Sequence, residues 1–130
     1  MYPATYNYDN IISVAAIDSQ GHLAAFSNWG KNTVHIAAPG VAIFSTMVGN
    51  HYGSQIYTRH NGTSPSWNGT SMAAPFVSGA AALYWSKYPS STYADVKRAI
   101  ISSARILPAL QNKLASGGEL DIAQLMSPGY

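Results

Sequence analysis

Residues 68–75 read Asn-Gly-Thr-Ser-Met-Ala-Ala-Pro, and they lead into a long apolar segment. Residues 71–87 predict a helix that is apolar almost all the way round, which is typical of a buried helix. Ser71 would open this helix with its hydroxyl at a loop edge, and its backbone N–H would be one of the unpaired donors of the helix start. The helix dipole favours negative charge there, which suits a tetrahedral oxyanion. Gly69 would let a substrate carbonyl approach closely. The stretch therefore offers a serine in a setting that suits a nucleophile, although serine is also a common helix cap.

Two residues inside this helix need an explanation. Pro75 lies close to the predicted helix start, where little hydrogen bonding is lost. Gly79 costs up to about 1 kcal/mol in a helix interior. We expect the compensation to be the close approach of a neighbouring backbone.

The composition excludes several functional classes. Hydrophobic residues make up 47% of the 130 residues and charged residues only 9%, against about a quarter charged in typical domains. The net charge is +2 and no basic stripe is present, so nucleic acid is not an expected partner. No apolar run reaches the roughly 20 residues of a membrane span. Without cysteine there is neither a disulfide framework nor a thiolate metal site. So few charges indicate a chain that is unusually buried, or one that another part of a larger domain covers.

Upstream of residue 68 the pattern predicts strands and a loop. Residues 11–17 are β-branched and nearly continuously apolar, as in a strand buried on both faces of a parallel sheet. Residues 23–27 and 34–38 predict two more short strands, and residues 41–47 predict extended chain. Residues 48–68, rich in Gly, Ser, Asn, Tyr and Thr, predict a long surface loop with a short hairpin.

Downstream of residue 87 a second helix is expected to start at Thr92. Thr92 and Asp95 resemble a capping box with Asp in the place of Glu, and Val96 and Ile100 share a face. Gly117 and Gly118 mark a turn. Residues 121–126 predict a short final helix.

These segments together resemble the subtilisin-like serine proteases (subtilases). The Gly-Thr-Ser-Met-Ala-Ala-Pro string is similar to the nucleophile motif of that family, and the other similar blocks follow in the family's order across nearly the whole chain: residues 2–4, 11–17, 26–30, 36–40, 43–46, 77–83 and 117–121. The resemblance implies an α/β, three-layer subtilisin-like fold with a mainly parallel sheet, of which residues 1–130 are the C-terminal portion. It favours an extracellular or secretory location and a polypeptide substrate.

The resemblance also implies roles for individual residues. Ser71 would be the nucleophile, its own N–H an oxyanion donor, and Asn68, Gly69, Thr70 and Met72 would surround it. Tyr2, Pro3 and Ala4 would line the pocket for the substrate side chain before the scissile bond, with a Tyr-Pro bond that is often cis in the family. No catalytic cofactor is implied. Carbonyl groups near Ala4 and Tyr6 sit by a weak structural cation in some members.

A serine hydroxyl is a poor nucleophile without a base. The family's His base, its orienting Asp and its oxyanion Asn are expected upstream of Tyr2, in a missing N-terminal half that would be the chain's partner. His60 superficially resembles the family's His motif, but it has the wrong spacing and a solvated loop histidine is the simpler interpretation. His22 reads as a turn residue, and His35 as pointing to one face of its strand.

Other interpretations remain beside this one. An α/β-hydrolase requires a histidine after its nucleophile, and none follows Ser71. A metal hydrolase requires clustered ligands, and the four histidines are scattered. The serious alternative is a catalytically inactive fragment or pseudoprotease that binds peptide or pairs with the missing half. Residues 53–67 resemble an insertion beside the active site, and Asn61 begins a glycosylation sequon.

Overall fold

The computed structural model describes residues 2–47, 51–53 and 67–127, with the backbone alone for residues 47 and 51–53. Its main sheet has four strands in the order β1-β2-β6-β5, where β1 is Val14–Ile17, β2 is Ile36–Pro39, β5 is Arg105–Ile106 and β6 is Gly118–Glu119. Strands β1, β2 and β6 run parallel, and β5 pairs antiparallel with β6. The sheet is therefore mainly parallel, as predicted.

The two longest strands of this sheet are buried on both faces. Ala16, Ile36 and Ala38 point to one face, and Ala15, Ile17 and Ala37 point to the other. All six side chains are at most 1% exposed. Continuous apolar sequence is what a strand covered on both sides requires, because neither face meets water. The prediction from residues 11–17 is confirmed, with the regular strand confined to Val14–Ile17.

Helices cover one face of the sheet, and an irregular segment covers the other. The helices are α1 (Thr70–Lys87), α2 (Tyr93–Ser102) and α3 (Ile122–Met126). Their core residues join the first face of the sheet: Ala73, Val77, Ala80, Val96, Ile100 and Leu125. On the opposite face, Leu110 and Leu114 are fully buried against Ile17 and Ala37. The result is three layers, with the sheet in the middle.

Helix α2 begins with the predicted capping box. The Thr92 hydroxyl accepts from the Asp95 N–H at 3.2 Å, and the Asp95 carboxylate accepts from the Thr92 N–H at 2.9 Å. These bonds satisfy donors that a helix start otherwise leaves unpaired. The Thr92 hydroxyl also donates to the Asp95 carboxylate at 2.7 Å, and this bond is the largest cause of a lowered Asp95 pKa, followed by the bond from the Thr92 N–H.

The closing segment of the chain contains two strands that the pattern did not predict. Gly117 has a φ of 67°, the left-handed region that glycine tolerates best. A Cβ on Gly118 would lie 2.4 Å from the Arg105 carbonyl oxygen, so that only glycine fits against β5. Arg105 donates from Nε to Glu119 Oε1 at 2.7 Å and also from Nη2 to the same oxygen. The predicted last helix follows, with Asp121 as its N-cap.

Two expectations about the strands are corrected. Residues 23–27 form no strand: Leu23 makes an isolated bridge to Ile17, and the Ser27 hydroxyl accepts from the Ala16 N–H at 2.9 Å. At Ala16, the Ser27 hydroxyl thus accepts the hydrogen bond that the carbonyl of a neighbouring strand would otherwise accept. The predicted hairpin lies earlier than expected, between β3 (Ser45–Met47) and β4 (His51–Gly53), which pair antiparallel. Residues 54–66, with His60 and the Asn61 sequon, lie outside the described residues.

The burial expected of α1 is correct for one side only. Ala73, Val77 and Ala80 are buried against the sheet. Gly79 has nothing within 4 Å of the position its Cβ would take. The expected close approach of a neighbouring backbone at Gly79 is therefore wrong for the described chain, because the side of α1 that carries Gly79 faces outward.

Candidate active site

Ser71 is the second residue of α1, and its side chain is exposed. Gly69 is the N-cap and offers no side-chain cap bond. Its carbonyl accepts from the N–H groups of Met72 at 3.0 Å and Ala73 at 3.3 Å. The N–H of Ser71 belongs to the first turn, whose donors have no acceptor inside the helix. The hydroxyl and the N–H of Ser71 thus lie together at the positive end of the dipole of an 18-residue helix. This setting favours negative charge that develops there.

Three hydrogen bonds hold this helix start to the chain that leaves β2. The Gly69 N–H donates to the Gly40 carbonyl at 2.8 Å, and the Ile43 N–H donates to the Trp67 carbonyl at 3.1 Å. Between them, the Asn68 side-chain carbonyl accepts from the Ala42 N–H at 2.7 Å. We call these bonds between residues 40–43 and 67–69 the clasp. The clasp therefore fixes the position of the chain that leads into Ser71.

The clasp requires a glycine at position 40. A Cβ there would lie 2.5 Å from the Ala16 Cβ and 2.8 Å from the Gly69 carbonyl oxygen. Neither neighbour can retreat easily, because one belongs to β1 and the other is the N-cap of α1. Ala42 has a φ of 55°, which costs a non-glycine residue on the order of 1–2 kcal/mol. The Asn68 bond to its N–H helps to hold that conformation.

The remaining predicted site residues, Tyr2, Pro3 and Ala4, form a turn of their own at the start of the chain. The Tyr2–Pro3 peptide bond is cis, and the Tyr6 N–H donates to the Pro3 carbonyl at 3.0 Å. The rings of Tyr2, Tyr6 and Tyr8 follow one another, with centroids 4.9 Å and 5.8 Å apart. This exposed ladder is linked to α2, where Lys97 Nζ donates to the Tyr8 carbonyl at 3.1 Å. The structure thus brings residues 68–72 together and places residues 2–4 on a second element.

The histidine side chains that the structure describes are engaged away from Ser71. His22 Nδ1 lies 3.4 Å from Asp18 Oδ2 in a turn. His35 accepts at Nδ1 from the Ser13 N–H at 2.9 Å, which places its ring hydrogen on Nε2. Burial lowers the pKa of His35, and the charge of Lys97 lowers it further. His35 is therefore a neutral structural acceptor. The expectation that it lies within a strand is corrected, because β2 begins at Ile36.

The described part of the chain offers no clustered metal ligands. Among residues 2–47 and 67–127, no group of three or more His, Cys, Asp or Glu side chains could hold an ion. No helix in the described ranges is both long and apolar enough to cross a membrane.

Sequence reasoning missed Gly40 and Ala42. Pro39 and Gly40 read only as the stop of a strand, yet Gly40 is where β1, β2 and the Ser71 turn meet. The signal that could have found it is the Pro-Gly pair directly after a buried strand, since a glycine at such a point also permits close backbone approach. Nothing in the local sequence marks Ala42 as a residue of positive φ.

Comparisons with known proteins place this geometry in a family. The sequence profile of the Subtilase family matches residues 1–123. Subtilisin DY of Bacillus licheniformis is 44% identical over 103 residues, which are 79% of this chain and 32% of that protein. The thermostable alkaline protease of Halalkalibacterium halodurans is 41% identical over 106 residues, which are 82% of this chain and 25% of that protein.

Solved structures agree with the sequence relatives. MycP1 with its N-terminal propeptide removed superimposes with a TM-score of 0.86 at 27% identity, over 99% of this chain and 39% of that one. The MycP3 protease of the type VII (ESX-3) secretion system does so with a TM-score of 0.74 at 31% identity, over 91% and 32%. The chain thus spans about a third or less of the curated relatives it matches. With a profile match over 123 of 130 residues, an ordered set of motifs and a superimposable fold, this chain belongs to the subtilase family.

Proposed function

We propose that Ser71 is the nucleophile of a serine-type endopeptidase, and that it acts together with further polypeptide that supplies its base. The observation that carries the proposal is the Ser71 helix start: an exposed hydroxyl beside its own N–H, held by the clasp, within the residues that the Subtilase profile matches. The alkaline protease and the MycP3 protease, both named as proteases, support the same reaction class.

The reaction would proceed by acyl transfer. Ser71 Oγ attacks the carbonyl carbon of the scissile bond while the base accepts the hydroxyl proton. The carbonyl oxygen becomes an oxyanion that accepts a hydrogen bond from the Ser71 N–H. The proton passes to the leaving amine, the C–N bond breaks, and an acyl ester on Ser71 remains. Water, deprotonated by the same base, then hydrolyses the ester and restores the serine.

The base is the part that the described side chains do not supply. His22 is paired with Asp18, and His35 is an acceptor for the Ser13 N–H. A histidine base, its orienting aspartate and an oxyanion asparagine would come from the additional length that the relatives have. Tyr2, Pro3 and Ala4 would line the pocket for the substrate side chain, since their turn carries an exposed aromatic surface. No step of this reaction passes through a cation near Ala4 and Tyr6.

The alternative is a chain that binds or pairs without catalysing. The two functions differ in whether Ser71 ever becomes activated. The test is a fluorophosphonate probe on the purified chain, with Ser71→Ala as the loss-of-site variant and Ser78→Ala, exposed on the same helix, as the matched control. We expect no Ser71-dependent labelling of the chain by itself, which both functions predict. Once the part of Subtilisin DY that precedes its matched segment is added, we expect labelling that depends on Ser71, which only the protease predicts. Labelling of the chain by itself that disappears in Ser71→Ala but persists in Ser78→Ala would show that this chain already holds a base, which contradicts the division proposed here.

A further inference from the structure

The turn that carries the proposed substrate pocket lies outside the hydrophobic core. Apart from the half-buried Thr5, every residue from 2 to 10 is exposed, and Tyr2 and Tyr8 are 75% and 61% exposed. Of the described residues in the two core clusters and packed against them, the first in the chain is Ile12. The turn therefore depends more on hydrogen bonds than on burial of apolar surface.

Local contacts give the turn its shape. The Tyr6 N–H donates to the Pro3 carbonyl at 3.0 Å, and the Ile11 N–H donates to the Tyr8 carbonyl at 3.1 Å. The rings of Tyr2, Tyr6 and Tyr8 contact one another in sequence. Because these contacts join near neighbours in the chain, they shape the turn without attaching it to another element.

Lys97 of α2 attaches the turn to the rest of the fold. Its Nζ donates to the same Tyr8 carbonyl at 3.1 Å, across a separation of 89 residues in the chain. The backbone of Lys97 is held in place by the core, since Val96 and Ile100 on the same helix are 3% and 0% exposed. One carbonyl oxygen thus accepts both the bond that closes the turn and the bond that attaches it to α2.

The charge of Lys97 is available for this contact. The adjacent Arg98 pairs with Asp95, whereas within the described part of the chain no carboxylate lies within ion-pair distance of Lys97. A hydrogen bond from an ammonium group is stronger than one between neutral groups. The pKa of His35, which accepts from the Ser13 N–H, is lowered by burial and also by the charge of Lys97. The ammonium group therefore lies near the chain that leaves the turn.

We propose that Lys97 is a positioning residue for the substrate pocket: by holding the Tyr8 carbonyl, it keeps residues 2–4 where they can contact a substrate side chain. This inference rests on the proposed function, which makes residues 2–4 the wall of that pocket. Lys97 acts through Tyr8 and takes no part in the chemistry at Ser71. A wall that is already in place loses less conformational freedom when the substrate binds, so Lys97 should affect substrate binding rather than acyl transfer.

Amide hydrogen exchange of the chain by itself provides the first test. Lys97→Met removes the ammonium group and keeps a long side chain, and Lys97→Arg keeps a cationic donor. The matched control is Lys87→Met on α1, because Lys87 Nζ also donates to a backbone carbonyl, that of Met126, at 2.6 Å. We expect Lys97→Met to speed exchange of the Ile11 N–H by about threefold or more. Lys97→Arg should restore most of the protection, and Lys87→Met should not change it.

Substrate kinetics provide the second test, in the complex with the part of Subtilisin DY that precedes its matched segment. The substrate is an uncharged peptide anilide with phenylalanine before the scissile bond, so that an electrostatic effect on the substrate is excluded. Lys97→Met should raise KM by about threefold or more and leave kcat within about twofold, as expected for lost binding. Lys97→Arg should return KM towards the wild-type value. With glycine before the scissile bond the change in KM should be smaller, because no side chain enters the pocket.

Several outcomes would overturn the positioning role. Unchanged exchange of the Ile11 N–H in Lys97→Met would do so without any partner polypeptide. Equal changes in KM for the phenylalanine and glycine substrates would indicate a general loss of structure instead. If the complex is active and Lys97→Met leaves KM unchanged, the positioning role is wrong and the proposed function stands. If exchange responds as expected but Ser71 stays unlabelled by fluorophosphonate in the complex, Lys97 holds the turn, and the proposed function and its pocket are wrong.

Discussion

Helices α1 and α2 pack against each other but have different surroundings. Helix α2 buries Val96 and Ile100, carries Asp95, Lys97 and Arg98 among its ten residues, and closes its own start with a capping box. Helix α1 has no side-chain cap and exposes large apolar side chains. Helix α2 is therefore complete as a surface helix. Helix α1 has the composition of a helix surrounded by protein, and the described chain surrounds only half of it.

The first prediction tests the buried side of α2 by removing one of its core side chains. Ile100→Ala should lower the free energy of unfolding by about 2–5 kcal/mol, because Ile100 is fully buried and its loss leaves a cavity. Urea unfolding followed by circular dichroism measures the change. The control is Ile122→Ala on α3, whose side chain is 40% exposed, and it should cost clearly less. Equal losses in both variants would mean that the core is not where the structure places it.

The second change addresses the cap that α2 has and α1 lacks. Thr92→Ala removes the acceptor of the Asp95 N–H and should cost about 0.5–2 kcal/mol of unfolding free energy. Thr92→Ser retains a hydroxyl at the same position and should recover most of the loss. Identical stabilities of the Ala and Ser variants in urea would contradict the capping box.

The third prediction concerns how stability depends on pH through His35, whose surroundings include Lys97 of α2. The pKa of His35 is lowered by burial and by Lys97. Above the ordinary pKa of 6.5 the ring is neutral in both states, and its stabilising effect is fully present. As the pH falls below 6.5, the unfolded state binds the proton first, so the free energy of unfolding decreases until the lowered folded pKa is passed. Because His35 is only half-buried, solvent keeps this effect smaller than that of Ile100→Ala.

The measurement for His35 is the urea midpoint between pH 8 and pH 5. His35→Asn keeps an acceptor for the Ser13 N–H without titrating, and the decrease with acid should be smaller in this variant. His22→Asn serves as the control, since His22 is an exposed turn residue. If wild type and His35→Asn lose the same stability on acidification, the neutral role of His35 is wrong.

The smallest effect is expected on the outward side of α1, opposite the buried residues of the helix. Ala82→Glu should change the free energy of unfolding of the chain by less than about 0.5 kcal/mol, because Ala82 faces outward. The same substitution at Ala80, which is 1% exposed, should be severely destabilising, since it would bury a charge. A large loss from Ala82→Glu in the chain by itself would contradict the comparison, as it would show that this side of α1 is covered.

The features that could be predicted from the sequence are those that depend on residues close to one another in the chain. The capping box is a four-residue pattern, the buried strands are runs of apolar residues, and the helix after Ser71 is an uninterrupted apolar segment. These features were predictable because their causes lie within a few residues of chain. Strands β5 and β6 have two residues each and exist only through their pairing, so no local pattern announces them.

The clasp escaped prediction for a related reason. Gly40 is needed because Gly69, 29 residues later, approaches it, and such a contact is visible only in three dimensions. The composition of α1 indicated burial, and the structure supplies partners for only one side of it. The apolar composition of α1 suits burial on all sides. The described chain covers only the side of α1 that carries Ala73, Val77 and Ala80.

The central claim is that Ser71 is a subtilase nucleophile whose activation comes from another polypeptide. The most direct test compares fluorophosphonate labelling of the chain before and after mixing with the preceding part of Subtilisin DY, with Ser71→Ala in parallel. The account predicts no Ser71-dependent labelling of the chain by itself and clear labelling in the complex, lost in Ser71→Ala. A stable complex in which Ser71 stays unlabelled would contradict it, and the chain would then be a binding module without catalysis.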